Sequence, residues 1–349
     1  MRRHTPIMTA LAAAAALAAT IGFATTGASA GTGHAARGLP RHVFAPYFET
    51  YDTSDGSPAA LARESGAKYL TFAFIETAQA GSCTAYWNGD TSEPISSSSF
   101  GRDISAIQAA GGDVIPSFGG YTADTTGTDI ADSCTSVPAI AQVYENVITT
   151  YHVPRVDLDV EGDSLTDTAG INRRNEAIAQ VESWAAAHGR GIQFSYTLPS
   201  LTTGLDAAGE AVLENAIADG ARFSVVNLLT FDYYIGTEQD MAADTETAAS
   251  GLYRQLRTLF PDSHPAQLWP MVGITEMPGI DDYGPDETFT QADAAIVRNW
   301  AWSRGINTLS FWALQRDNGS CPGTKGAGAC SGIAQPTWYF SHAFEPFTR

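Results

Sequence analysis

The chain has 349 residues, 44% of them hydrophobic, and its 19 Lys and Arg stand against 38 Asp and Glu for a formal net charge of −19 at pH 7. Such a charge repels phosphate backbones and anionic lipids, which argues against nucleic acid or a membrane surface as partner and leaves a neutral polymer as the easier one. The length suits one large domain or two small ones.

Arg2 and Arg3 open the chain, an alanine-rich apolar run covers 7–25, and Ala28-Ser29-Ala30 supplies the small-x-small pattern for cleavage before Gly31. Residues 1–30 therefore read as an export signal, and the expected product is secreted, extracellular and monomeric. No later stretch approaches the ~20 apolar residues of a membrane span. Residues 31–40 form a short polar leader, and 41–349 read as one catalytic domain without a linker, repeat or second module.

From there the chain alternates two patterns. Short β-branched and aromatic runs fall at 42–47, 69–75, 113–118, 156–160, 192–197, 225–231, 269–273 and 308–312. Each is followed by a helical pattern. Ser57-Pro58 caps a helix over 59–65 that stops at Gly66. Ile140, Val143, Tyr144, Val147 and Ile148 repeat at helical spacing, and 171–188 ends at Gly189. Val212, Leu213, Ala216 and Ile217 lead to Gly220, Leu252, Leu256 and Leu259 form another apolar face, and Ile296, Val297 and Trp300 lead to Gly305. Eight strand-then-helix units predict an α/β fold of the (β/α)8 TIM-barrel type. A doubly wound sheet would show a Gly-rich phosphate loop after its first strand, whereas here that strand ends in Ala45-Pro46-Tyr47.

The four cysteines suggest two disulfides in an exported chain. Cys321 and Cys330 share a Gly-rich loop and form a natural local pair, leaving Cys83 for Cys134. No CxxC occurs and the seven His are scattered, so neither a metal nor another cofactor is expected.

In a barrel, chemistry sits at the C-terminal strand ends. The fourth strand reads Val156-Asp157-Leu158-Asp159-Val160-Glu161. Alternation puts Asp157, Asp159 and Glu161 on one face and the apolar residues on the other, so three carboxyls point into the barrel. Crowding and lost solvation raise carboxyl pKa values, which suits a general acid at neutral pH. One unit earlier the third strand ends Ser117-Phe118-Gly119-Gly120, where paired glycines allow close backbone approach. The sixth ends Leu229-Thr230-Phe231-Asp232-Tyr233, and the eighth contains Trp312, whose indole suits the apolar face of a sugar. Trp87 and Trp338 fit either surface subsites or packing.

These strand ends resemble the family 18 glycoside hydrolases, chitinases above all. The last three acids match that family's Asp-x-x-Asp-x-Asp-x-Glu, with Pro154 where the pattern has its first Asp, and Ser117, Gly119 and Gly120 match its Ser-x-Gly-Gly. Strand six departs from the family's Met-x-Tyr-Asp in having Leu229 and Phe231, so Tyr233, two residues on, is taken to supply the missing hydroxyl. The resemblance implies a substrate-assisted, retaining mechanism. Glu161 is the acid, Asp159 orients the substrate's 2-acetamido group, and Asp157 tunes Asp159. Asp232 and Tyr233 hold the acetamido carbonyl, Tyr47 and Ser117 hydrogen-bond toward Asp157, and Trp312 is the sugar floor. Chitin or chitooligosaccharides are the implied partners. The alternatives are an endo-acting N-glycan-cleaving glycosidase on the same strands and a silent chitin-binding lectin, against which the acid at 161 argues.

Overall fold

The computed structural model describes residues 38–348; the expected export signal and most of the leader lie outside them. The strands in chain order are β1 (Val43–Phe44), β2 (Tyr47–Glu49), β3 (Tyr69–Thr77), β4 (Ala85–Trp87), β5 (Asp113–Gly119), β6 (Arg155–Asp159), β7 (Gln193–Pro199), β8 (Val225–Leu229), β9 (Val272–Glu276), β10 (Gly279–Ile280), β11 (Thr288–Phe289) and β12 (Thr308–Phe311).

The main sheet runs β1-β12-β9-β8-β7-β6-β5-β3-β2, with every pairing along this path parallel. β1 and β2 are two halves of the first expected strand, divided at Ala45-Pro46. Below the break Val43 pairs with Thr308, and above it Tyr47 pairs with Thr71. The Ala45 N–H still reaches Leu309 O at 3.0 Å, while the Thr71 N–H reaches Pro46 O at 2.9 Å. The strand thus passes from one neighbour to the other, which closes the sheet into the expected eight-membered barrel. Pro46 is tolerated because the strand changes partners there, so no ladder bond calls on its missing N–H.

One expected strand starts later than the sequence suggests. Trp269–Met271 is a turn of 3-10 helix containing Pro270, and the ladder begins at Val272. The helix after β2, Pro58–Ser65, is capped as expected, with the Ala60 N–H donating to the Ser57 hydroxyl.

Val156, Leu158 and Val160 are at most 1% exposed and join the main apolar cluster between strands and helices. The barrel interior is polar instead. Thr71, Ser117, Ser195, Thr197, Asn227, Thr275 and Ser310 are all buried, where many barrels carry Val, Ile and Leu. This polar interior is what allows buried carboxyls to stand there.

β4 pairs antiparallel with β3 and brings Trp87 fully into the core, where its indole N–H donates to the Tyr151 hydroxyl at 2.9 Å. Trp87 is therefore packing, and Trp338 also lies against the core. Both expected disulfides are present, Cys83–Cys134 and Cys321–Cys330. Among the described residues no helix is long and apolar enough to cross a membrane.

Candidate active site

β6 is buried along its whole length, and its alternation holds into the loop. The Val160 N–H donates to Thr197 O at 2.9 Å, and Glu161 keeps extended backbone at φ −132°. Asp157, Asp159 and Glu161 therefore rise as a ladder from the barrel interior to its mouth.

Asp157 is 3% exposed and ringed by hydroxyls. Its Oδ2 accepts from Tyr47 at 3.0 Å and Ser117 at 2.8 Å, its Oδ1 accepts from Ser195 at 2.5 Å, and Thr197 reaches both oxygens at 3.1 Å. Burial raises its pKa and these hydroxyls oppose the rise. Asp159 has no such support. Its Oδ1 is buried without a hydrogen-bond partner. Burial, then the charges of Glu161 and Asp157, push it well above the carboxylate range. Glu161 is pushed up to about 7, chiefly by burial, with Asp232 and Asp282 adding to the rise and the Tyr121 N–H opposing it. Glu161, the outermost member, can therefore hold a proton near neutrality and donate it.

The ladder opens into a cavity of about 630 Å³ lined by Asp159, Glu161, Tyr47, Gly119, Asp232 and Trp312 among others. That volume is typical of small-ligand pockets. The glycines explain how the wall approaches so closely. Gly119 and Gly120 have φ of +92° and +82°. A β-carbon on Gly119 would strike Asp159 O, and one on Gly120 would strike the Phe74 ring. Trp312 stacks on Phe74 with ring centroids 5.6 Å apart and planes at 13°. Tyr47 lies against the same indole at 5.6 Å.

Asp157, Ser117 and Gly120 stand behind the cavity wall, supporting Asp159 and Phe74. Tyr233 requires a correction. Its ring packs against the apolar core, its hydroxyl is buried toward Ser200 and Thr245, and it does not line the cavity. β8 ends at Leu229, and Asp232 and Tyr234 adopt φ of +53° and +56°. The two-residue alternation that carried the expectation therefore stops before Tyr233, and Phe231, Asp232 and Tyr234 face the cavity together. The turn is held by carboxylates. The Tyr233 N–H donates to Glu287 Oε2 at 2.7 Å, the Asp232 N–H to Asp281 Oδ2 at 2.9 Å, and Asp232 Oδ1 accepts from the Tyr283 N–H at 3.1 Å. Burial, then the charge of Asp282, push Asp232 up to about 6.

Asp124 was not singled out from the sequence. It lies on the short helix Tyr121–Thr126 directly after Gly119-Gly120, is 1% exposed, and its Oδ2 accepts the Glu161 N–H. Burial, then Asp129, push it up to about 9. A single acid on a helix of six residues carries no periodic signal. Among the described residues, two acidic groups bring carboxylate oxygens within 4.8 Å of one another, Asp124/Asp129/Asp132 and Asp232/Asp281/Glu287. The first already holds the Arg174 guanidinium, 2.9 Å from Asp129 and 3.8 Å from Asp132, and the second is engaged by the backbone N–H groups just described.

No family model matches the chain. It is 32% identical over 337 residues to the probable bifunctional chitinase/lysozyme of Escherichia coli (strain K12), covering 93% of this chain and 36% of that protein. It is 31% identical over 304 residues to Endochitinase 11 of Metarhizium anisopliae, covering 84% and 56%. The chain thus spans about a third to about half the length of these curated relatives. The catalytic domain of the hyperthermophilic chitinase from Pyrococcus furiosus superposes with a TM-score of 0.77 at 29% identity, covering 90% of this chain and 97% of that one. The chain belongs to the family 18 glycoside hydrolases. A family 18 chitinase from Pseudoalteromonas aurantia, at 14% identity and a TM-score of 0.50, shares the fold.

Proposed function

We propose that the protein is a secreted chitinase that hydrolyses β-1,4-linked N-acetylglucosamine chains with retention of configuration, the substrate's own acetamido group serving as nucleophile. The observation that carries this reading is the ladder itself. Its outermost carboxyl is pushed up to about 7, chiefly by burial, at the mouth of a sugar-sized cavity floored by Trp312, while a second acid, Asp159, stands beneath it with an unpartnered oxygen. Glu161 protonates the bridging oxygen. The acetamido carbonyl attacks the anomeric carbon, and Asp159 accepts from the acetamido N–H and stabilises the positive charge that develops. Asp157, fixed by its hydroxyls, supports Asp159. Asp232 lies on the acetamido side of the cavity, and Tyr233, turned into the core, acts only through the turn it belongs to. Water then opens the cyclic intermediate with Glu161 as base. Secretion is supported by the export-signal pattern at 1–30 and by two disulfides, which persist in oxidising compartments.

Glu161→Gln keeps the shape and removes the proton. Release of chromophore from a chitooligosaccharide glycoside is expected to fall at least ~10²-fold, and wild-type turnover would remove Glu161 from its role. Chitin oligomers should be cleaved and cello-oligomers of equal length left intact. Equal cleavage would refute the acetamido nucleophile.

A further inference from the structure

The barrel floor carries a cation that the reaction above does not use. β6 begins with Arg155, which is 2% exposed and reaches across the interior. Its Nε and Nη2 donate to Gln193 Oε1 at 3.1 and 2.8 Å, its Nη2 also to Asn307 Oδ1 at 3.0 Å, and its Nη1 to Thr308 Oγ1 at 3.1 Å. All three acceptors are uncharged. A buried guanidinium held only by neutral groups is costly, and an apolar side chain of similar volume would fill a barrel floor as well.

The charge has a direction. Arg155, Asp157 and Asp159 are alternate residues on one strand and share its inward face. Two residues of strand span about 7 Å, within Coulombic reach in a medium that screens little. Arg155 and Asp157 line the same small cavity of about 10 Å³, together with Tyr47, Ser195 and Asn227. The groups facing Asp157 from the neighbouring strands are Ser117 of β5, Ser195 and Thr197 of β7, and the Tyr47 phenol of β2. Among the described residues, Arg155 is the one cation of the charged and titratable groups around it; Tyr47 and Asp159 are both acids.

We propose that Arg155 is a positioning residue whose buried guanidinium holds one negative charge on the Asp157–Asp159 pair, while Glu161, three alternations further out, keeps its proton. This rests on the substrate-assisted reading, in which the pair must be anionic to stabilise the cyclic cation. It separates two demands that one strand makes of its acids. The lower pair keeps a charge because a cation lies below it, and the upper acid keeps its proton because it is buried beside Asp232 and Asp282.

Three variants test the assignment. Arg155→Met removes the charge, Arg155→Lys keeps it, and Asn307→Asp leaves the guanidinium in place but sets a carboxylate against it at the half-buried rim. Arg155→Met and Arg155→Lys should lower the melting temperature, since both remove hydrogen bonds of the floor, whereas Asn307→Asp supplies the guanidinium with a carboxylate partner. The acidic limb of the kcat/KM profile, where the pair takes up its proton, is expected to move to higher pH by about one unit in Arg155→Met and Asn307→Asp. It should stay near the wild-type position in Arg155→Lys, and the alkaline limb set by Glu161 should not move in any of them. Should Arg155→Met fail to fold, Asn307→Asp carries the test. Carbon-13 NMR titration of the Asp side chains in free wild-type and Asn307→Asp protein reads the charge of the pair without turnover. A folded Asn307→Asp or Arg155→Met with wild-type limb and titration would overturn the proposal. Asp159→Ala run alongside keeps the two readings apart: retained turnover there refutes the substrate-assisted mechanism and leaves the titration of the pair to decide Arg155.

Discussion

Asp124 offers the sharpest test of how the loop after β5 serves the acid. It accepts the Glu161 N–H and is pushed up to about 9 by burial and by Asp129. The sign of the consequence follows from linkage. Above the ordinary value of 3.8 the unfolded carboxyl is ionised, whereas the folded one keeps its proton to about 9. Between those values folding takes up a proton, so stability falls as pH rises, by up to ~1.4 kcal/mol per pH unit. Asp124→Asn has no proton to take up and still offers an oxygen to Glu161. Its melting temperature relative to wild type should therefore climb between pH 5 and pH 8, with kcat on a chromogenic chitobioside changed only a few-fold. Asp124→Ala removes the acceptor. Leaving a buried N–H unsatisfied costs about 1–3 kcal/mol, so kcat should fall ~5- to 150-fold if that cost is borne by the placement of Glu161. Calorimetry at several pH values and steady-state kinetics read both effects. An Asp124→Asn melting profile parallel to wild type, or full kcat in Asp124→Ala, would refute the reasoning.

Asp232→Asn removes a negative charge that raises the Glu161 pKa, so the alkaline limb of kcat/KM should shift to lower pH; a limb that stays or rises contradicts the proximity of the two groups. Tyr233→Phe deletes a hydroxyl that does not line the cavity and should leave kcat/KM within a few-fold of wild type, and a loss of ~10²-fold, the usual contribution of a positioned catalytic group, would restore Tyr233 to the chemistry. Replacing Cys83 and Cys134 together by Ser frees a 51-residue loop and should cost ~4 kcal/mol of stability by the chain-entropy relation. Denaturant titration of the folded variant checks this, and an unchanged midpoint would show that the loop is held by other contacts.

Much of the site was legible because it lies on strands. The alternation at 156–160 places Asp157 and Asp159 inward without reference to any other element, and the structure continues it to Glu161 through the bond from the Val160 N–H to Thr197 O. Tyr233 shows the limit of that reasoning. The same two-residue count fails there because the strand ends at Leu229 and the backbone turns left-handed at Asp232. Neither event has a local signal as plain as a glycine. The break of the first strand at Ala45-Pro46 was likewise invisible as a closure, although the proline was in view.

By itself the sequence determined the period of each element, the caps, the even cysteine count and the sign of the surface charge, because each depends on residues close along the chain or on a simple sum. Only the tertiary structure decided which acids are ionised. Asp157 meets hydroxyls from β2, β5 and β7, Asp159 meets none, Asp124 arrives from the short helix after β5 to hold Glu161, and Arg155 spans the floor to β12. Protonation depends on desolvation and on charges brought together from positions more than 100 residues apart, such as Tyr47 and Asp157. Those terms exist only once the barrel has closed around them.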